Sequence, residues 1–137
     1  MKTLKIELQV KPLSANKMYW RGKRSKTAEY LAYQNEIRDE LMGTTWPFAD
    51  SPLHFDFGVG LSARQADLDN TFKPLFDTLQ TIYEEFNDNK VYTIAASKFI
   101  VPKGREFIRL GVTETTEPEA QLTIPQEQAK QVQEQET

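Results

Sequence analysis

The chain has no cysteine and a single histidine, His54, among its 137 residues. Without cysteine there are no disulfides, no thiolate metal ligands and no cysteine nucleophile, a composition that fits a cytoplasmic protein. One histidine excludes a histidine-rich zinc site, and the sequence offers His54 no nucleophile partner for a serine-type triad. The sequence also lacks a Gly-rich phosphate-binding loop. These absences remove several common classes of enzyme.

Long hydrophobic runs are missing too. No stretch of about 18 apolar residues occurs, so the sequence predicts no membrane span. Residues 1–4 lead directly into an alternating pattern, so we expect no signal peptide. The length predicts one folded domain, over residues 1–114. Residues 115–137 are rich in Glu, Gln, Thr and Pro and have no aromatic residue. We predict that this acidic tail is disordered, or at most a fraying helix over 126–136.

The net charge of −3 is unevenly distributed along the chain. Residues 114–137 hold six acidic residues and one lysine, a charge of −5, which leaves +2 for residues 1–113. Residues 11–26 hold six basic residues and no acid, a local charge of +6. Such a segment can neutralise phosphates and release their counterions. The alternative is a solvated basic loop without a nucleic-acid partner.

Hydrophobic periodicity predicts an α+β domain in the order β-α-β-α-β-β, with two helices packed on a small mixed sheet. Alternating apolar residues predict strands over 3–10 and 53–61, and a pattern rich in Val, Ile, Tyr and Phe predicts another over 90–101. A helix is predicted after the cap Thr27, ending at Gly43. A second helix is predicted between residues 70 and 87, with Pro74 in its first turn. The turn at 102–104 predicts a hairpin between the last two strands.

Two carboxylates, Asp67 and Asp69, precede the second helix. In extended backbone, side chains at i and i+2 share a face, and a hard divalent cation is the natural occupant between two carboxylates. Asp88 lies at the far end of the same helix and reaches Asp69 only if the chain doubles back after residue 90. Lys73, four residues after Asp69, can neutralise these acids or stabilise charge on a phosphate.

Each of these residues also has a purely structural interpretation. Asp69 and Asn70 suit a helix cap, and residues 87–89 suit a turn in any protein. Asp69 and Lys73 can form a surface ion pair worth a few tenths of a kcal/mol. The residues alone therefore favour a Mg²⁺-dependent phosphoryl-transfer site among the enzyme hypotheses but leave these alternatives open.

Three groups of residues resemble motifs of the RusA family of Holliday-junction resolvases. The first is the set of acids with its spacing: Asp67, Leu68, Asp69, Asn70, Lys73, Phe76, Asp77, Leu79, Asn87, Asp88 and Val91. The second is the stretch Pro12, Leu13, Ser14, Ala15, Asn16, Lys17 and Tyr19, and the third is Ala28, Glu29, Ala32 and Tyr33. The similarity covers roughly residues 5–114. Leu13 departs from the family, which usually has a second proline there, and residues 62–66 contain one base where some relatives have more.

The resemblance implies a homodimeric Mg²⁺-dependent endonuclease, with Mn²⁺ expected to substitute. Its implied activity is resolution of four-way DNA junctions by paired incisions, in DNA recombination and repair. It implies that Asp67, Asp69 and Asp88 bind the metal and that Lys73 is catalytic. The expected DNA-binding residues are Lys11, Asn16, Lys17, Tyr19, Arg21, Lys23, Arg24, Lys26 and Arg64. Competing hypotheses are a nuclease for other branched DNA, a non-catalytic DNA-binding module, and a protein-interaction domain whose acids only cap helices.

Overall fold

The computed structural model describes residues 2–120. It contains four strands and two α-helices, in the chain order β1 (Thr3–Leu8), α1 (Ala28–Glu40), β2 (Leu53–Leu61), α2 (Phe72–Ile82), β3 (Val91–Ile100) and β4 (Phe107–Glu114). Short 3₁₀ helices occupy Ala15–Lys17, Asp69–Thr71 and Asp88–Lys90. The predicted α+β class is confirmed. Most of the predicted acidic tail, from residue 121 onward, lies outside the described residues.

The four strands form one mixed sheet in the order β1-β4-β2-β3. Strand β4 is antiparallel to both β1 and β2, whereas β3 is parallel to β2. The predicted hairpin between β3 and β4 is therefore wrong, because β2 lies between them. The reason is burial: Phe107, Ile108, Leu110 and Val112 of β4 are buried, whereas most residues of β3 are exposed. Strand β4 takes an interior position, where these side chains are buried, and β3 takes an edge.

Helix α1 begins where the sequence predicts. The hydroxyl oxygen of Thr27 accepts a hydrogen bond from the backbone N–H of Tyr30, which satisfies one of the free donors of the first turn. One face of the helix buries Tyr30, Tyr33 and Ile37 in the hydrophobic core. The chain leaves the helix through Gly43, whose φ of +84° favours glycine.

Helix α2 returns the chain along the sheet from the end of β2 to the start of β3. Pro74 lies in its first turn, as predicted, where its missing N–H has no helical partner to lose. The helix ends at Ile82, earlier than its apolar pattern suggests, and Phe86 packs beyond that end against Phe55 and Trp46. These aromatic contacts fix the orientation of α2 on the sheet.

Both helices cover one face of the sheet and leave the other face open. The open face carries Lys5, Glu7, Asp56 and Arg109. Along each strand these charged residues alternate with residues that are less exposed. None of the helices within residues 2–120 is both long and apolar enough to cross a bilayer.

Candidate functional site

A concave surface of about 410 Å³ lies beside the end of β2 and joins segments that are distant in sequence. Lys11, Asn16 and Lys17 line it from the N-terminal segment, and Asp67 and Asn70 line it from the loop before α2. Its remaining lining is formed by Pro12, Leu13, Ser14, Glu29, Leu61, Ser62, Ala63, Gln65, Ala66, Thr71 and Glu106. Three of the predicted DNA-binding residues thus share one surface with one of the predicted metal ligands.

The loop that carries Asp67 and Asp69 is compact rather than extended. Leu68, between them, has α-helical φ and ψ of −61° and −45°, and Asp69 begins a 3₁₀ turn. The expectation that both carboxylates share a face of extended backbone is therefore wrong. Local polar groups tighten this turn, because the hydroxyl of Thr71 donates to the carbonyl of Leu68 at 2.7 Å. Asn70 Nδ2 donates to Asp67 Oδ2 at 3.4 Å.

Lys98, on β3, holds this loop from the neighbouring strand. Its ammonium group donates to the backbone carbonyls of Arg64, at 2.8 Å, and Ala66, at 3.0 Å. Because Asp67 directly follows Ala66, these two bonds restrain the backbone next to the carboxylate. Lys98 was not among the residues that the sequence pointed to, since it lies 32 residues away from Ala66 and meets it only through the parallel pairing of β2 with β3.

Replacing Lys98 with methionine is expected to loosen this loop. The side chain keeps its length but loses both charge-assisted bonds, worth roughly 1 kcal/mol in total at an exposed site. Trypsin cleavage after Arg64 should then accelerate about fivefold, because local opening becomes that much more frequent.

The measurement is limited proteolysis with mass-spectrometric assignment of the 64/65 cut. Lys98→Arg should restore slow cleavage, and Lys103→Met, at an exposed turn, is the matched control. An unchanged rate in Lys98→Met would show that the two bonds do not restrain the loop.

Glu106 is a further acid on the same concave surface. Its side chain is buried, at 9% exposure, and Oε1 accepts the backbone N–H of Gly104 at 2.6 Å. Hydrogen bonds from its own backbone and from Gly104, with Lys11 and Ser62 nearby, lower the pKa of Glu106 against the opposing effect of burial. A second acid, whose surroundings favour its ionised form, therefore lines the same cavity as Asp67. No sequence signal marks it, because residues 105–113 resemble an ordinary strand.

Asp88 lies at the opposite end of the domain from Asp67 and Asp69. It begins the 3₁₀ turn before β3, and its backbone N–H donates to Gln80 Oε1 of α2. The loop with Asp67 precedes α2, whose 11 residues span about 16 Å. Within residues 2–120, no three His, Cys, Asp or Glu side chains are grouped closely enough to hold a metal ion. The fold of a single chain therefore does not bring the three predicted ligands together.

Lys73 pairs with a different acid from the one predicted. Its ammonium lies 3.4 Å from Asp77 Oδ2, one helical turn further along α2. Asp69 belongs to the 3₁₀ turn before the helix, so the four-residue spacing does not follow α-helical geometry there. Among the ion pairs of the described part of the chain, Lys73 has none with Asp69. Its side chain is 66% exposed, so this ion pair is accessible to solvent.

The last part of the basic segment, residues 19–26, forms a small hairpin, and Ala15–Lys17 before it forms a 3₁₀ helix. Tyr19 and Lys26 form an antiparallel bridge, and the exposed bases Arg21, Lys23 and Arg24 lie at the tip. Lys26 packs over the ring of Tyr30 and donates to Gln34. Two other predicted DNA-binding residues are separate from the tip. Lys17 pairs weakly with Glu29 at 3.9 Å. Arg64 is exposed on the loop of residues 62–69 that carries Asp67 and Asp69, hereafter the acidic loop.

No family model matches the sequence, and no curated protein matches it.

Proposed function

We propose that this protein is a metal-dependent endonuclease that acts on branched DNA, similar to the RusA family of junction resolvases. The observation that carries the proposal is the concave surface at the end of β2, where Lys11 and Lys17 share a cavity with Asp67. Carboxylates attract a divalent cation and lysines attract phosphate, so this combination suits a phosphodiester at a metal ion.

Asp67 and Asp69 are the proposed metal ligands of one subunit. Mg²⁺ typically keeps several of its waters and is held by one or two carboxylates together with substrate phosphate oxygens. Two exposed acids on one compact loop fit that requirement, and Mn²⁺ should substitute. The bound ion would supply a water of lowered pKa and polarise the scissile phosphate. The chain itself contributes the two carboxylates and the restraint that Lys98 places on their loop.

Lysines around the acids have complementary roles in this proposal. Lys11 and Lys17, which line the cavity with Asp67, bind the DNA backbone near the scissile phosphate, and Asn16 of the same lining is a neutral donor. Lys73, exposed in the first turn of α2, stabilises negative charge on the phosphate, since the positive end of the helix dipole adds to its own charge.

A homodimer is part of the proposal because Asp88 is far from Asp67 in one subunit. Within the sheet that residues 2–120 form, strand β3 is an edge strand, and it exposes Tyr92, Ile94, Phe99 and Ile100. Such an edge favours pairing with another strand. If two copies pair antiparallel along β3, the start of one β3 meets the end of the other. Since Lys98 near that end contacts the acidic loop, Asp88 of the partner subunit would approach the loop.

Such an arrangement also suits a four-way junction, because a two-fold dimer presents one site to each of two opposed strands. Paired incisions of this kind would serve DNA recombination and repair. The second candidate function is a non-catalytic or broader-specificity protein that binds branched DNA. It is favoured by the lack of a three-acid group within residues 2–120 of one subunit.

The decisive experiment compares an end-labelled four-way junction with a matched linear duplex, with and without Mg²⁺, at two salt concentrations. We expect metal-dependent, paired nicks in the junction only. Cleavage of both substrates would replace the junction-specific proposal by a broader nuclease. Binding of the junction without cleavage in Mg²⁺ or Mn²⁺ would refute the nuclease and support the second function.

A further inference from the structure

The basic hairpin over residues 19–26 has a defined geometry. Trp20 N–H donates to the Ser25 carbonyl at 3.0 Å, and Thr27 N–H donates to the Met18 carbonyl at 3.0 Å. At the tip, Lys23 N–H donates to the Trp20 carbonyl, and Gly22 has a φ of +72°. A positive φ at this position of a tight turn requires glycine or a similar residue. The hairpin therefore presents its side chains in a set order.

The two faces of the hairpin have different environments. Tyr19 packs edge-on against Tyr30 of α1, with ring centroids 5.9 Å apart, and Lys26 opposite it lies over the same ring. Because successive residues of a strand point to opposite faces, the next side chain, Trp20, is directed away from α1. Trp20 is 58% exposed, although a large apolar ring is usually buried.

Three basic side chains lie on the same turn as this exposed ring. Arg21, Lys23 and Arg24 are exposed at the tip, and within residues 2–120 none of the three forms an ion pair. Trp20 lines one concave surface with Arg21, Lys23 and Ser25. An aromatic face next to unpaired cations is the combination with which proteins bind an unstacked base and its phosphates.

We propose that Trp20 stacks on an exposed base at the branch point of the DNA substrate. The inference rests on the proposed binding of branched DNA but not on cleavage. In a continuous duplex both faces of each base are covered by neighbours, and an indole ring must separate them to insert. At a branch point the strands pass from one arm to another, which interrupts the stacking of the bases. Exposing the face of one base there costs less free energy than in a continuous duplex. The basic side chains at the hairpin tip then bind the phosphates on either side of the stacked nucleobase.

Tryptophan fluorescence reads this contact directly. The chain has two tryptophans, and Trp46 is buried at 9% exposure among Phe48, Tyr83 and Phe86. Trp46 therefore gives a constant background, while Trp20 reports on solvent and ligand. The titration uses the full chain in EDTA, which prevents cleavage, with a four-way junction or with two linear duplexes whose four ends match the ends of its arms. The junction should quench Trp20 emission at saturation, and the duplexes should not.

Substitutions distinguish the contribution of stacking to DNA affinity from the contribution of charge. Trp20→Ala should weaken junction binding about tenfold without changing its salt dependence, and should leave duplex binding unchanged. Trp20→Phe should restore most of the affinity. Arg24→Gln is the contrasting variant: it should weaken binding to every DNA and reduce the slope of log K against log salt by about 1.

Several outcomes would overturn the inference. These are unquenched Trp20 emission on a saturated junction, equal losses on junction and duplex in Trp20→Ala, and junction affinity that is unchanged by that substitution. The proposed nuclease fails independently, in the cleavage assay. Quenching and a tenfold loss of affinity, without cleavage, would support the role of Trp20 and refute the nuclease. Normal cleavage by Trp20→Ala, with unchanged affinity, would support the nuclease and refute the role of Trp20.

Discussion

Asp69→Asn should reduce junction cleavage at least about 100-fold while leaving junction binding intact or slightly tighter. The substitution keeps the size of the side chain and removes one negative charge. Loss of that charge weakens a divalent cation site, and it also removes repulsion between the carboxylate and DNA phosphates. Opposite effects on cleavage and binding are therefore the expected result, measured by single-turnover cleavage and by titration of the same junction in EDTA.

Asp39→Asn is the matched control for this variant, because Asp39 is an exposed acid near the end of α1, outside the residues that line the cavity. It should cleave at the wild-type rate. Cleavage by Asp69→Asn within a few-fold of wild type would mean that the acidic loop does not carry the chemistry. Loss of both binding and cleavage, with an unfolded circular dichroism spectrum, would instead mean that Asp69 is needed for folding.

A heterodimer that pairs an Asp69→Asn subunit with an Asp88→Asn subunit should regain about half of the wild-type nicking rate, although each variant alone is inactive. The expected half rate follows from the two-fold symmetry of the dimer. If each site takes Asp67 and Asp69 from one subunit and the partner subunit's Asp88, one of the two sites in the heterodimer carries both defects. The other site carries neither. If all three acids acted within one subunit, both sites would stay defective.

The heterodimer is obtained by co-expression of the two chains with different tags and sequential purification on both. Its activity is measured as nicking of one labelled strand, since one active site cannot make paired incisions. A heterodimer of Asp67→Asn with Asp69→Asn is the control, and it should remain inactive because both acids lie on the same loop. Failure of the two tags to co-purify would contradict the dimer, and an inactive Asp69/Asp88 heterodimer would contradict the shared site.

Local patterns predicted most of the elements because local physics determines them. The alternation of β2 follows from a strand with one face on the core, and the structure has that strand over Leu53–Leu61 as predicted. The cap at Thr27 and the placement of Pro74 depend only on the hydrogen bonding of a helix start. The end of α2 was less predictable, since Phe86 continues the apolar pattern beyond the helix and packs from an irregular segment.

The prediction failed where two elements compete for the same position. A short turn between β3 and β4 favours a hairpin, but β4 buries more apolar side chains by lying between β1 and β2. A similar conflict explains the wrong prediction for the backbone between Asp67 and Asp69. An Asp-Leu-Asp sequence allows extended backbone, but the N-terminal turn of α2 imposes helical dihedral angles on Leu68. In both cases the burial or hydrogen bonding of a neighbouring segment outweighed the local pattern.

The sequence by itself determined the fold class, the helix starts, the basic segment and the identity of the acids, because these depend on residue type and short-range spacing. Only the tertiary structure decided which of them meet. The parallel pairing of β2 with β3 brings Lys98 to the loop of Asp67, and the same topology separates that loop from Asp88 by the length of α2. The packing of Tyr19 on α1 likewise directs Trp20 to solvent. Contacts between distant segments follow from the burial of the whole core, which no local pattern encodes.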